Sequence, residues 1–169
     1  MTRLLLFRHA KAAPAEPGMR DFDRPLTARG RRDAAAAGQF LVENALHADA
    51  ILCSSARRTR ETLQYAAFPG FEEVTTYSDA LYSADAAGYL AIVRAAGQAG
   101  TLLVIGHNPG LQQFALRLAG AGSDETVFKK IEAKFPTAAL ARFTLDGDWA
   151  NLDFGGARLT HCLRPKDLG

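Results

Sequence analysis

Cysteine is nearly absent: the 169 residues hold two, Cys53 and Cys162, and neither belongs to a Cys-x-x-Cys pair. That spacing excludes the usual zinc and redox motifs and leaves two free buried thiols as the reading. No metal-ligand cluster is visible either, so neither a metal nor any other cofactor is expected. A charge excess is also missing. Twenty Lys and Arg stand against 18 Asp and Glu, a net charge of +2. A general nucleic-acid binder carries a far more basic surface. No apolar run approaches the roughly 20 residues of a membrane span. The apolar run at 4–7 is too short for a secretion signal and carries no cleavage site. The expectation is a soluble cytoplasmic protein with no nucleic-acid or membrane partner. No repeat, linker or low-complexity tract breaks the chain, and its length predicts a single domain over 1–169. Hydrophobic residues at 48% and charged residues at 22% give an ordinary globular balance, enough to bury a core without staples.

What is present alternates between short apolar runs and helical stretches. Residues 4–7 read as a buried strand. Residues 12–25 are rich in Pro, Gly and charge and read as a loop. Thr27 predicts a helix cap, with an Ala-rich helix over 29–43. A second strand is expected at 50–53, with Ser54 and Ser55 capping a helix at 56–67. A short strand at 74–77 and a helix at 84–96 follow. Thr101-Leu102-Leu103-Val104-Ile105 is the clearest buried strand, and a helix is expected from Leu111 to about Ala119. Beyond Ala138 the runs 139–145, 149–154 and 157–163 read as strands separated by Asp-Gly and Gly-Gly turns. The pattern predicts an α/β fold: a three-layer α/β/α arrangement with a mostly parallel central sheet and added C-terminal antiparallel strands.

Open parallel sheets bind ligands outside the carboxyl ends of their strands. Arg8 and His9 follow the first strand, Ser54 and then Arg58 the second, and His107 the fourth. Two of the chain's four histidines therefore fall at strand ends. The set suits an anion, because each guanidinium presents a rigid, permanently charged fork that matches phosphate. The helix opened by Asn108 and Pro109 directs free N–H groups the same way. A neutral imidazole held in line with phosphorus can act as nucleophile, while the guanidiniums and a second imidazole neutralise the equatorial oxygens. Taken singly, each residue has a plainer reading: Arg8 as a surface charge, His9 as a satisfied polar group, His107 as a turn residue. Arg57, Arg58 and Arg60 read singly as a solvated helix start. Their coincidence at one sheet edge favours the shared anion site.

These residues carry a family resemblance. Phe7-Arg8-His9-Ala10 resembles the Arg-His-Gly signature of the histidine phosphatase (phosphoglycerate mutase-like) superfamily, with Ala10 in place of Gly. Ser54-Ser55-Ala56-Arg57-Arg58-Thr59-Arg60-Glu61-Thr62 resembles its Ser-Pro-x-x-Arg-Ala-x-Gln-Thr element, with Ser55 for Pro and Glu61 for Gln. This alignment puts the phosphate-binding arginine at Arg58. Gly106-His107-Asn108-Pro109-Gly110 resembles the second-histidine motif. Arg24-Pro25-Leu26-Thr27 with Gly30, the near-minimal length and the ending Leu163-Arg164-Pro165-Lys166 resemble the SixA-type phosphohistidine phosphatases.

The resemblance implies a metal-independent phosphatase that works through a phosphohistidine on His9. Arg8, Arg58 and His107 are then the other catalytic residues, with Arg24, Lys11 and Asn108 as further phosphate-binding residues. The implied partner is a phosphorylated protein carrying phosphohistidine, or a small phosphoester, with phosphate as product. No acidic proton donor is evident, since the stretch 77–88 is short and offers only Asp79 and Asp85. An imidazole leaving group, titrating near 6.5, has less need of one than an alkoxide. Three alternatives stay open. One is a small-molecule phosphomonoesterase or mutase of the same superfamily. Another is a non-catalytic phosphate-binding module. The last is a cysteine phosphatase built on Cys53, which wants Cys-x5-Arg but finds Thr59 at that position. The run Arg20, Arg24, Arg29, Arg31 and Arg32 reads as a solvated loop and helix start, or as a surface steering an acidic partner.

Overall fold

A computed structural model describes residues 2–168. The β-branched and apolar runs form strands and the Ala- and Leu-rich stretches form helices. In chain order they are β1 (Thr2–Arg8), α1 (Ala28–Glu43), β2 (Ala50–Ser54), α2 (Arg57–Ala66), α3 (Phe71–Val74), β3 (Thr75–Ser78), α4 (Ala86–Arg94), β4 (Thr101–Gly106), α5 (Gly110–Leu118), α6 (Glu125–Ala133), β5 (Leu140–Leu145), β6 (Arg158–Leu163) and α7 (Pro165–Leu168). One six-stranded sheet runs β3-β2-β4-β1-β5-β6. β3, β2, β4 and β1 are parallel. β5 runs antiparallel to β1, and β6 antiparallel to β5. Among the described residues no helix is long and apolar enough to cross a membrane.

The period of two in the strands separates two cores. Leu4, Leu6, Leu102 and Val104 face α4, α5 and α6. Leu5, Phe7, Leu103 and Ile105 face α1 and α2. The expected three layers are therefore present, with every residue of β4 buried. Thr27 caps α1 as expected, its Oγ1 accepting from Gly30 N at 3.0 Å. Gly30 has no room for a side chain: a Cβ there would lie 2.2 Å from the Lys11 carbonyl oxygen. The Arg-Pro-Leu-Thr-x-x-Gly stretch thus locks the start of α1 against the segment that leaves His9.

Three expectations need correction. Residues 149–154 form no strand. Trp149 and Leu152, three residues apart, are both buried, a helical spacing, and Trp149–Asn151 is a 3-10 turn capped by Asp148. The Trp149 indole N–H donates to the Ala99 carbonyl at 2.7 Å. Ser54 and Ser55 do not cap α2, whose cap position is Ala56 with no side-chain bond; Ser54 instead serves the site described below. Finally, α6 lies in a stretch the sequence reading left unassigned. Asp124 caps it through Val127 N at 2.9 Å, and it packs on the core through buried Ile131 with half-buried Val127 and Phe128 beside it.

Candidate active site

The carboxyl ends of the parallel strands bring the expected residues together. Arg8 ends β1, His9 follows it, Arg58 sits in the first turn of α2 and His107 follows β4. The His9 and His107 rings lie 5.3 Å apart. Both histidines and Arg58 are buried, and the two guanidiniums are close enough that Arg58 adds to the burial that lowers the pKa of Arg8. Two guanidiniums beside two imidazoles, against the single carboxylate of Asp21 that pairs Arg58 from the rim, favour an anion.

Backbone bonds set the pose of His9. Its Nδ1 lies 2.7 Å from the Ala10 carbonyl. A carbonyl can only accept, so Nδ1 carries the proton and Nε2 keeps its lone pair. Burial pushes the His9 pKa down to about 3, and His107, Arg58 and Arg8 add repulsion. The ring is therefore neutral at pH 7. Ala10 N–H donates to Thr62 Oγ1 at 2.9 Å, and that hydroxyl donates to the Arg58 carbonyl at 2.7 Å. Thr62 thus joins the His9 segment to the helix that carries Arg58. Ala10 is wholly buried, and the methyl group that distinguishes it from Gly is accommodated.

His107 is held at its backbone and at its ring. Its backbone N–H donates to Tyr89 Oη at 3.0 Å. That hydroxyl comes so close to Gly106 that a Cβ there would lie 2.2 Å from it, so the residue before His107 must be glycine. Its Nε2 lies 2.8 Å from Ser54 Oγ. Ser54 Oγ also accepts from Ala56 N at 3.3 Å; when its own proton goes to His107 Nε2, the imidazole proton stands on Nδ1. His107 Nδ1 and Arg8 Nε are buried with no hydrogen-bond partner among the described residues. Buried polar groups are ordinarily satisfied, and the His107 ring that carries one of these two lies 5.3 Å from the His9 ring. Burial, followed by the Arg58 charge, lowers the His107 pKa to about 4.

Asp21, which sequence reading passed over, organises the rim. Its carbonyl accepts from Arg58 Nη1 at 2.9 Å and its Oδ2 from Nη2 at 3.1 Å. Its Oδ1 accepts from Arg24 Nη1 at 3.0 Å, and Tyr82 Oη donates to Oδ2. The Tyr82 bond and the Arg24 bond hold the Asp21 carboxyl well below its ordinary range, so it is ionised at neutral pH. Tyr82 packs edge-on against His107 with centroids 5.5 Å apart. Arg24 therefore reaches the site through Asp21, with its Nε spent on the Ala13 carbonyl at 2.8 Å. Arg8 Nη1 and Asn108 Nδ2 both donate to the Phe135 carbonyl, at 3.1 and 2.8 Å. Asn108 Oδ1 also accepts from Gln112 N at 3.2 Å, so this side chain is engaged at both ends. Lys11 is exposed, and the bonds it makes run through its carbonyl to Thr27. Among the described residues no group of His, Cys, Asp and Glu could hold a metal ion.

The model of the histidine phosphatase superfamily (branch 1) matches residues 4–79. An uncharacterized protein of Mycobacterium tuberculosis is 40% identical over 161 residues, 94% of this chain and 99% of the relative. A structure from Nakamurella multipartitia, provisionally described as a phosphohistidine phosphatase SixA, superposes with a TM-score of 0.86 at 34% identity, covering 97% of this chain and 96% of that one. A second with the same provisional description, from Agrobacterium tumefaciens, gives 0.82 at 32% identity over 97% and 98%.

The chain belongs to the histidine phosphatase superfamily. Within it the chain is of the SixA type, and it is a phosphatase. Two consequences of the site are measurable. Cys53 cannot supply the alternative nucleophile of a cysteine phosphatase. It is wholly enclosed in the core beneath α1 and α2, and burial pushes its thiol up to about 12, whereas a thiolate is required. Cys53→Ala is expected to keep phosphate release within about twofold while costing about 1 kcal/mol of stability, read by urea unfolding.

Both histidines also make the fold acid-sensitive. Their folded pKa values lie below the unfolded value of about 6.5, so between pH 6.5 and 4.5 the unfolded chain binds more protons. Stability then falls as pH falls through that window, by about 4 kcal/mol for the pair, and is flat above it. Urea midpoints at the two pH values test this. A double variant, His9→Gln with His107→Gln, is expected to lose most of the slope, and an unchanged slope would remove the histidines as its cause.

Proposed function

We propose that this phosphatase removes phosphate from phosphohistidine on proteins, with His9 as nucleophile and no metal. The observation that carries the reading is the Nδ1 bond to the Ala10 carbonyl, which leaves His9 Nε2 as a neutral, oriented lone pair. Nε2 attacks phosphorus as the bond to the substrate imidazole breaks. The leaving imidazole takes a proton from water. A second water then attacks the phosphohistidine, releasing inorganic phosphate and returning neutral His9. Arg8, Arg58 and the His107 Nδ1–H hold the three equatorial oxygens through both steps. Arg24 acts through Asp21, and Asn108 through the loop at Phe135. Lys11, exposed two residues after His9, would add a cation for the substrate at the mouth of the site.

The substrate class rests on the missing acid. An alkoxide leaving group needs a proton donor, while an imidazole titrates near neutrality. Asp21, the carboxylate bonded to the cluster, is ionised. Asp85 is committed to capping α4 through Gly88 N at 2.8 Å, and Asp79 lies exposed in the turn Asp79–Leu81. That short turn between β3 and α4 adds no lid, which suits a protein-borne substrate. The test compares phosphate release from a phosphohistidine peptide and from an alkyl phosphate monoester, both in chelator. Faster release from the peptide is expected. A much faster monoester reaction would overturn the substrate class, and loss of both activities in chelator would overturn the metal-free route.

A further inference from the structure

A basic groove of about 220 Å³ lies between the first turn of α1, the loop after α6 and α7, lined by Arg29, Lys134, Pro136, Thr137, Arg164 and Lys166. The Arg-Pro-Lys ending of the chain, which the reaction does not use, builds one wall. Lys130 extends the cationic surface by sharing Asp167 with Arg164, at 3.1 and 3.2 Å. Arg29 pairs with Asp33 at 3.7 Å. Among the described residues Lys134 and Lys166 have no ion-pair partner, and both are exposed. Five cations thus face two pairing carboxylates, an excess above the +2 of the entire chain. Charge of one sign gathered along a concave surface raises the local concentration of the opposite sign.

The groove is joined to the active site from two directions. Ala138 N–H bonds both the Arg8 and His9 carbonyls, at 3.1 and 3.0 Å, and Thr137 beside it lines the groove. One such bond and one Cα step place Thr137 within about 10 Å of His9. On the other side Lys11, two residues after His9, lies against Gly30 in the same helical turn as Arg29. The Phe135 carbonyl that takes Arg8 and Asn108 belongs to the loop whose neighbours, Lys134 and Pro136, form the groove wall.

We propose that this groove docks an acidic segment of the phosphoprotein substrate and so presents its phosphorylated side chain to His9. The proposal rests on the phosphohistidine reading above for its catalytic readout, and on charge complementarity for the choice of partner. Glutamate and aspartate side chains spaced along an extended segment match cations spread over the groove. The docking residues touch no reacting atom, so they act on encounter and KM and leave kcat unchanged.

The test uses two synthetic peptides, each with one phosphohistidine, flanked by glutamates in one and by glutamines in the other. The native chain is expected to favour the glutamate peptide by about tenfold in kcat/KM, carried by KM. Salt at about 0.2 M, where charges are screened beyond roughly 8 Å, is expected to erase the preference. Lys134→Gln combined with Lys166→Gln is expected to erase it too, with turnover of the glutamine peptide unchanged. An equal preference in native and variant chains overturns the proposal, as does a variant that loses both peptides alike. If the native chain hydrolyses neither peptide, the substrate reading fails and docking is read directly by fluorescence anisotropy of a labelled, unphosphorylated glutamate peptide. Binding by the native chain that the double variant loses sustains the groove; equal binding refutes it. A variant weakened only toward inorganic phosphate, with its peptide preference intact, makes the groove a small-anion site and overturns docking.

Discussion

His9→Ala is expected to lower phosphate release by about 10³-fold or more, because the proposed covalent route vanishes with its proposed nucleophile. The fold should survive. His9 contributes one hydrogen bond, to its neighbour's carbonyl, and the backbone contacts that seat it belong to its own amide and to Ala10. Removing a buried imidazole with a depressed pKa also removes a group that must be desolvated on folding. The variant is therefore expected to bind phosphate with near-native affinity, since Arg8, Arg58 and His107 remain, and it should not accumulate a phosphorylated intermediate. Rapid acid-free quenching of the native chain with labelled substrate should trap one label per chain, and the variant none. Equal turnover by the two chains would take His9 out of the nucleophile position. A variant that binds phosphate yet still releases it slowly would be read as attack by water within the intact oxyanion cluster. A non-catalytic binding module is tested by the same pair, because it predicts binding without turnover in the native chain as well.

The convergence of Arg8, His9, Arg58 and His107 was legible because a parallel sheet aligns its strand ends, so residues far apart in sequence share an edge by topology alone. The cap at Thr27 and the two-sided burial of β1 and β4 were legible for the same local reasons: a capping hydroxyl and uninterrupted apolar runs. What was not legible lies in contacts that no period or spacing encodes. Asp21 sits in a loop rich in Pro, Gly and charge, and it meets Arg58 and Tyr82 across 37 and 61 residues of chain. The loop at Phe135 contributes through a backbone carbonyl, a group every residue has. Ser54 was placed at the right strand end but given the wrong duty, because a serine before a helix signals a cap more strongly than it signals a partner for a distant imidazole. Residues 149–154 failed differently. Their apolar content suggested a strand, while the three-residue separation of Trp149 and Leu152 already carried the helical spacing that the fold uses.

Arg58 and Asp21 allow the site's positioning to be separated from its charge. Arg58→Ala is expected to reduce kcat/KM by about 10²- to 10³-fold, the loss of about 3 to 4 kcal/mol typical of one preorganised donor on developing charge. Asp21→Asn should cost less, about tenfold, because the Asp21 backbone carbonyl still accepts from Nη1 and an amide oxygen can replace Oδ2. Removing the carboxylate also unmasks the guanidinium, which strengthens phosphate binding in the ground state. The Asn variant is therefore expected to lose kcat while KM stays level or falls, the pattern of a misplaced donor that still attracts its anion. The double variant is decisive. If Asp21 acts only by aiming Arg58, then once Arg58 is gone the second change adds almost nothing, and the double variant should match Arg58→Ala. Additive losses would instead give Asp21 a separate role, acting through Tyr82 against the His107 ring. The pair is in direct contact, so strong non-additivity is the physical default. Its absence would mean that the hydrogen bonds at the rim do not set the guanidinium that the reaction uses.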